Sequence, residues 1–190
     1  TGATFFSDRY LVDSLGYNDG NYINVNAHEM AHQWFGNLVT ETDAAEHWLH
    51  EGFATYYAYQ AESSLLGPDQ MYWKLYDTAR ALERMDAEGR GESLLDPGAS
   101  SLTFYEKGAW ALYLLREEVG ERAFRQGVKD FLSDHSFSNA RVDDLFHFVA
   151  LLDPANTATT SNPATEVWNM ELPPGHRVFA APAVHHVEGE

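Results

Sequence analysis

The stretch NAHEMAHQWFGN, residues 26–37, sets His28 and His32 four apart with Glu29 directly after the first. On an α-helix, residues four apart differ by about 40° and rise by about 6 Å, so the two histidines project from one face and can share one ion. Glu29 sits about 60° round from His32, too far to be a natural third chelating group but able to lean over the ion as a base. Zinc in hydrolytic sites takes three protein ligands and a water, so the pattern asks for one more carboxylate. HWLHEGFATYYAYQ, residues 47–60, offers it at Glu51, with 18 residues between it and His32. That interval lets one helix end, turn and send a second back alongside it. Random placement of the residues would give about 0.03 occurrences of His-Glu-x-x-His, and the added Glu at one fixed spacing lowers this roughly tenfold.

The other polar residues near these motifs have plainer readings. His47 and His50 flank Glu51 but lie one and four positions before it, which makes them surface residues or neighbours of the ligands rather than ligands of the same ion. Asp43 and Glu46 have N-capping spacing, and either could instead orient a ligand histidine through its second nitrogen. His185 and His186 sit in an irregular tail and could take up adventitious metal, while Trp34, Phe35, Trp48 and Trp110 read as core. The chain has no cysteine, which excludes disulfides, iron–sulfur clusters and thiolate zinc sites, so a metal must use His, Asp, Glu or water.

The elements that must position these residues are mostly helical. The opening ATFFSDRYLV, rich in aromatic and β-branched residues, predicts a strand. A helical pattern over 24–35 is stopped by Gly36 and Asn37, and Asp43 starts a second helix that runs to about Leu66. Pro68 suits the first turn of a third helix through about Ala87, followed by the Gly-rich loop EGRGESLLDPGASS. TFYEKGAWALYLLREEVG has Thr103 and Glu106 at capping-box spacing, an apolar line at Phe104, Ala111, Leu112, Leu115 and Val119, and Gly120 as its stop. ERAFRQGVKDFLSDH and RVDDLFHFVALLD predict two more helices, and NPATEVWNM a short last one. DPANTATTSNPAT, residues 153–165, reads as a polar connection.

At 190 residues with 44% apolar content the chain can bury a core, and its formal net charge of −17 would repel nucleic acid and anionic membrane. No run approaches the roughly 18 apolar residues of a membrane helix, and the first residues lack the basic start and apolar stretch of a secretory signal. Only three cations are lysines, Lys74, Lys107 and Lys129, a bias that fits a salt-tolerant surface as well as an ordinary acidic one. Nothing in the sequence assigns a compartment.

HEMAHQWFGNLVT (28–40), WLHEGFATYY (48–57) and FYEKGAWAL (104–112) together resemble consecutive signatures of the aminopeptidase N family of zinc metallopeptidases. These are gluzincins with a thermolysin-like catalytic domain. The resemblance implies a mainly α (α+β) zincin fold, here its helical half with a short N-terminal strand region. On this reading residues 1–152 are part of the catalytic domain, and 153–190 are a connection and C-terminal tail. It further implies that His28, His32 and Glu51 bind one Zn²⁺ per chain, that Glu29 is the general base, and that Tyr105 steadies the transition state. Composition alone does not distinguish Tyr105 among ten tyrosines. The expected partner is a peptide substrate, cleaved at its N-terminus.

Two departures from the family stand out. Its members commonly carry aromatic residues just before the third-ligand helix, where this chain reads TDAAEH. The family's Gly-x-Met-Glu-Asn motif, whose glutamate binds the substrate's amino group, is absent. It lies shortly before a segment like TGATFFSDRYLV in relatives, so the chain is expected to begin just after it, to pair with the preceding part of the same enzyme, and to be a weak aminopeptidase alone. Three alternatives share the same fold: a thermolysin-type endopeptidase, an enzyme opening an epoxide at the same zinc, and a non-catalytic scaffold domain.

Overall fold

The computed structural model describes residues 2–18 and 20–152. Six α-helices and one small sheet follow in the order α1 (Ile23–Ala31), β1 (Val39–Glu41), α2 (Trp48–Leu66), α3 (Asp69–Ala87), α4 (Gly108–Val119), α5 (Glu121–Asp134), β2 (Ser138–Ala140) and α6 (Val142–Leu152). The mainly α expectation holds. The expected short helix over NPATEVWNM, the tail and the His185–His186 pair lie outside the described residues. No helix among the described residues is long and apolar enough to cross a membrane.

The organising element is α2. Trp48, Leu49, Phe53, Tyr56, Ala58 and Tyr59 are all buried, spread round the helix rather than along one stripe, as a central helix requires. α1, α3 and α4 pack against it, and α5 and α6 pair with each other and also touch α4. Phe124, Phe131, Leu145 and Val149 complete the core.

α1 is shorter than its sequence pattern. It begins behind Tyr22, which sits in the left-handed region at φ 51°, and Asn21 accepts a hydrogen bond from the Ile23 amide at 3.0 Å. Past Ala31 the bonds tighten to three-residue spacing, Gln33 to Met30 and Trp34 to Ala31, and Gly36 turns the chain at φ 136°, where a side chain would be strained. The tightened turn directs Phe35 into the core, stacked 4.1 Å from Phe53. It leaves Trp34 48% exposed, so Trp34 is not the core residue expected, while Trp48 is buried and Trp110 packs against the core.

The sheet differs from expectation. The opening segment contains a single 3₁₀ turn at Asp8–Tyr10 and no strand. Among the described residues no strand pairs with it, and β-propensity without a cross-strand partner does not make a strand. β1 pairs instead with β2 in parallel, Val39 opposite Ser138 and Glu41 opposite Ala140.

Asp43 does cap, accepting from the Ala45 amide at 2.7 Å, but it caps a 3₁₀ turn, Ala44–Glu46, that leads into α2. Glu46 is buried and reaches away from that turn, accepting from the Val142 amide at 3.3 Å and pairing with Arg141 at the start of α6.

The capping box predicted at Thr103 does not form. Residues Leu102–Lys107 make a π-helical turn leading into α4, and the Thr103 hydroxyl donates to Glu92 of the Gly-rich loop at 2.6 Å. Glu92 also accepts from the Ser100 amide and hydroxyl, each at 2.7 Å, so one loop carboxylate organises the entry to this helix.

Candidate metal centre

α1 carries His28 and Glu29 and has His32 as its C-cap, and α2 carries Glu51 on its first turn. Packing α1 on α2 brings His28 Nε2 to 3.1 Å from His32 Nε2 and 3.1 Å from Glu51 Oε2, and His32 Nε2 to 3.5 Å from the same oxygen. Bonds of about 2.0–2.1 Å to a tetrahedral zinc set its ligand atoms about 3.3–3.4 Å apart, so the triangle has the right size.

The chemistry of the donors fits as well. The second nitrogen of His32, Nδ1, donates to the Phe35 carbonyl at 2.9 Å. In the neutral ring this leaves the lone pair on Nε2, pointing at the triangle. His28 Nδ1 lies 3.4 Å from the Thr55 hydroxyl.

The electrostatics favour positive charge at the same point. Burial alone would raise the Glu51 pKa, but contacts with His28 and His32 outweigh it and hold the carboxyl well below the usual range. Reciprocally, Glu51 raises the His32 pKa against the effect of burial. A carboxylate that draws a proton onto a nearby imidazole also draws a cation to both, and the two compete for the site.

Tyr105 arrives from the π-helical turn. Its ring stacks on His28, centroids 5.5 Å apart and planes 6° apart. Burial first, then the Glu51 carboxylate, push the phenol pKa up to about 12, so it keeps its hydrogen at neutral pH. The approach depends on two glycines: a Cβ built on Gly108 would lie 2.9 Å from the Gly52 Cα. With no side chain at that crossing, α2 and α4 meet backbone to backbone directly beside Glu51 and Tyr105. Glu29, His28, Thr55, Tyr105 and Glu106 line one open cavity, with Asp77 of α3 on its wall. Burial raises the Glu106 pKa, whereas Glu46 does not face this cavity.

The fold therefore brings all five expected site residues, His28, Glu29, His32, Glu51 and Tyr105, to one place. The family model described as the Peptidase family M1 domain matches residues 1–168. The chain belongs to peptidase family M1. Among similar proteins, a leucyl aminopeptidase of Saccharolobus solfataricus is 36% identical over 160 residues, covering 77% of this chain and 20% of that protein. Human endoplasmic reticulum aminopeptidase 1 is 33% identical over 138 residues, covering 68% of this chain and 15% of that protein. The chain thus spans a fifth or less of the length of these relatives. The crystal structure of an M1 zinc metallopeptidase from Deinococcus radiodurans superposes with a TM-score of 0.60 at 29% identity, covering 76% of this chain and 32% of that one.

Within this M1 chain, the sequence motifs did not announce Thr55 and the Phe35 carbonyl as partners of His28 and His32. Thr55 had a readable signal, one helical turn after Glu51 on the same face. The carbonyl had none, because its direction depends on the tightened turn after α1.

Proposed function

We propose that this chain carries the hydrolytic centre of a zinc-dependent aminopeptidase. The observation that supports this best is the triangle of His28 Nε2, His32 Nε2 and Glu51 Oε2, whose His28 lines one cavity together with Glu29 and Tyr105. His28, His32 and Glu51 would hold the ion. When bound, zinc supplies Lewis-acid polarisation of a carbonyl and acidifies water enough for attack at neutral pH.

The chain's own residues do the rest. Glu29, one position after a ligand and facing the cavity, takes the proton from the attacking water and returns it to the departing amine. Tyr105, whose phenol keeps its hydrogen, donates to the oxyanion that develops on the scissile carbonyl. Thr55 and the Phe35 carbonyl hold the ligand rings in register. That the substrate is a peptide, cleaved from its N-terminus, rests on kinship with aminopeptidases. It is further supported by a glutamate-to-alanine mutant of the Deinococcus metallopeptidase, which was crystallised with a Tyr-Ser-Ala substrate.

The test is elemental analysis joined to hydrolysis of amino-acid anilides by the protein carrying this chain. One zinc per chain is expected. Glu29→Gln should keep that zinc and lose hydrolysis. A folded protein that takes up no zinc, or a Glu29→Gln variant that loses the ion, would refute the assignment.

A further inference from the structure

The two oxygens of Glu51 face different neighbourhoods. Oε2 turns to the ligand histidines, whereas Oε1 lies 3.6 Å from His47 Nε2, within ion-pair reach. The other nitrogen of His47, Nδ1, is 3.0 Å from Glu41 Oε1 at the end of β1. Glu41 is itself held: its backbone N–H donates to His50 Nε2 at 2.8 Å, and His50 Nδ1 is 3.0 Å from Glu41 Oε2. A neutral imidazole that accepts at Nε2 carries its hydrogen on Nδ1, so His50 donates to the carboxylate. Glu41 is then the acceptor from His47 Nδ1 as well, and because His47 turns its other nitrogen to Glu51 Oε1, the ring bridges the two carboxylates with a hydrogen on each nitrogen. The Phe104 ring stands edge-on to His47, 5.3 Å between centroids and 84° between planes, closing a third side.

Glu41, His47 and His50 contain the residue types of a second metal site, but the hydrogen bonds argue against one. Metal binding at His50 Nδ1 would require its hydrogen to move to Nε2, where it would meet the Glu41 N–H. These side chains form a brace whose free end is His47 Nε2, and that end meets the metal-binding carboxylate.

We infer that His47, held by Glu41 and His50, is a positioning residue for the zinc ligand Glu51. It stands 3.6 Å from the outer oxygen, within ion-pair reach, and so favours the orientation that keeps Oε2 turned toward His28 and His32. The inference rests on the zinc reading above. A carboxylate held on its outer oxygen loses less freedom when it takes up an ion, and partners of this kind contribute about 10–100-fold to metal affinity.

The test uses the full chain, with zinc titrated against a chelator of known affinity. The variants are His28→Ala, His47→Leu, His47→Gln and Glu41→Gln, and the metal-free melting temperature of each is recorded. His47→Leu should weaken zinc binding about 10–100-fold. His47→Gln, whose amide places an N–H close to the position of Nε2, should recover most of that loss, and Glu41→Gln should fall between them. With cobalt(II) in place of zinc, the visible absorption bands should shift in His47→Leu and return in His47→Gln. Zinc binding by His47→Leu as tight as in the unaltered chain would overturn the inference, as would equal losses in the Leu and Gln variants. If His47→Leu does not fold, Glu41→Gln decides, and unweakened binding there counts against the brace. His28→Ala separates the two levels: full zinc binding in that variant sinks the zinc reading itself, whereas its loss beside a normal His47→Leu sinks only the role of His47.

Discussion

Two clusters of the same composition lie side by side at the start of α2: His28, His32 and Glu51, and Glu41, His47 and His50, each with its potential ligand atoms within 4.8 Å of one another. In the first, the outward nitrogen of His32 is taken by a backbone carbonyl, so that its free lone pair joins His28 and Glu51 at one point. In the second, His50 meets a backbone donor on one nitrogen and a carboxylate on the other, and His47 a carboxylate on each. The difference teaches that two histidines and a glutamate are necessary for such a site but do not define it. The partners of their remaining atoms determine where lone pairs point, and so which cluster can hold an ion.

The comparison is most easily broken by metal content. Glu51→Ala should reduce zinc to near zero after dialysis, whereas Glu41→Ala should still retain one equivalent, by elemental analysis of both folded proteins. Two equivalents in the unaltered chain, one of them lost in Glu41→Ala, would make the second cluster a metal site after all. Next in size, Glu29→Gln should lower the rate of peptide or anilide hydrolysis by about 10²–10⁴-fold at unchanged zinc content. Steady-state rates at equal zinc occupancy check this.

Tyr105→Phe should lower kcat by about 10²–10³-fold with little change in KM, because its donor acts on charge that exists only in the transition state. Unaltered kinetics would make Tyr105 a packing residue beside His28. The smallest effect belongs to the crossing that delivers Tyr105. Gly108→Ala places a Cβ 2.9 Å from the Gly52 Cα, and overpacking of this kind costs about 1–3 kcal/mol. Urea denaturation of the metal-free protein measures that loss, and unchanged stability would mean that α2 and α4 can separate freely.

Much of the site was legible because helices make spacing meaningful. His28 and His32 had to share a face once residues 24–31 were helical, and an intervening turn was enough to bring Glu51 back to them. The Gly120 stop and the α5 and α6 helices were legible for the same reason: their punctuation and apolar periods are local. Three-residue strands carry almost no period, so β1 and β2 were invisible, and the aromatic opening segment drew the strand expectation to the wrong place. Thr103 and Glu106 matched a capping box in spacing, yet Glu92, eleven positions before Thr103, accepts the hydroxyl proton instead.

The sequence by itself determined the candidate donor set, the absence of thiolate ligands, and a glutamate one residue from a histidine of that set, since each follows from residue identity and a local helical repeat. Its three motifs together also marked Tyr105. Only the tertiary structure decided that Tyr105 stacks on His28, through a glycine-to-glycine crossing between residues 56 positions apart. It likewise decided that Glu46 serves α6 rather than the site, and that Glu41, His47 and His50 gather beside Glu51. Helical spacing fixes the direction of a side chain only relative to its own axis. Which lone pairs and hydrogens meet depends on how separate elements are packed, and that is governed by contacts between residues distant in the chain.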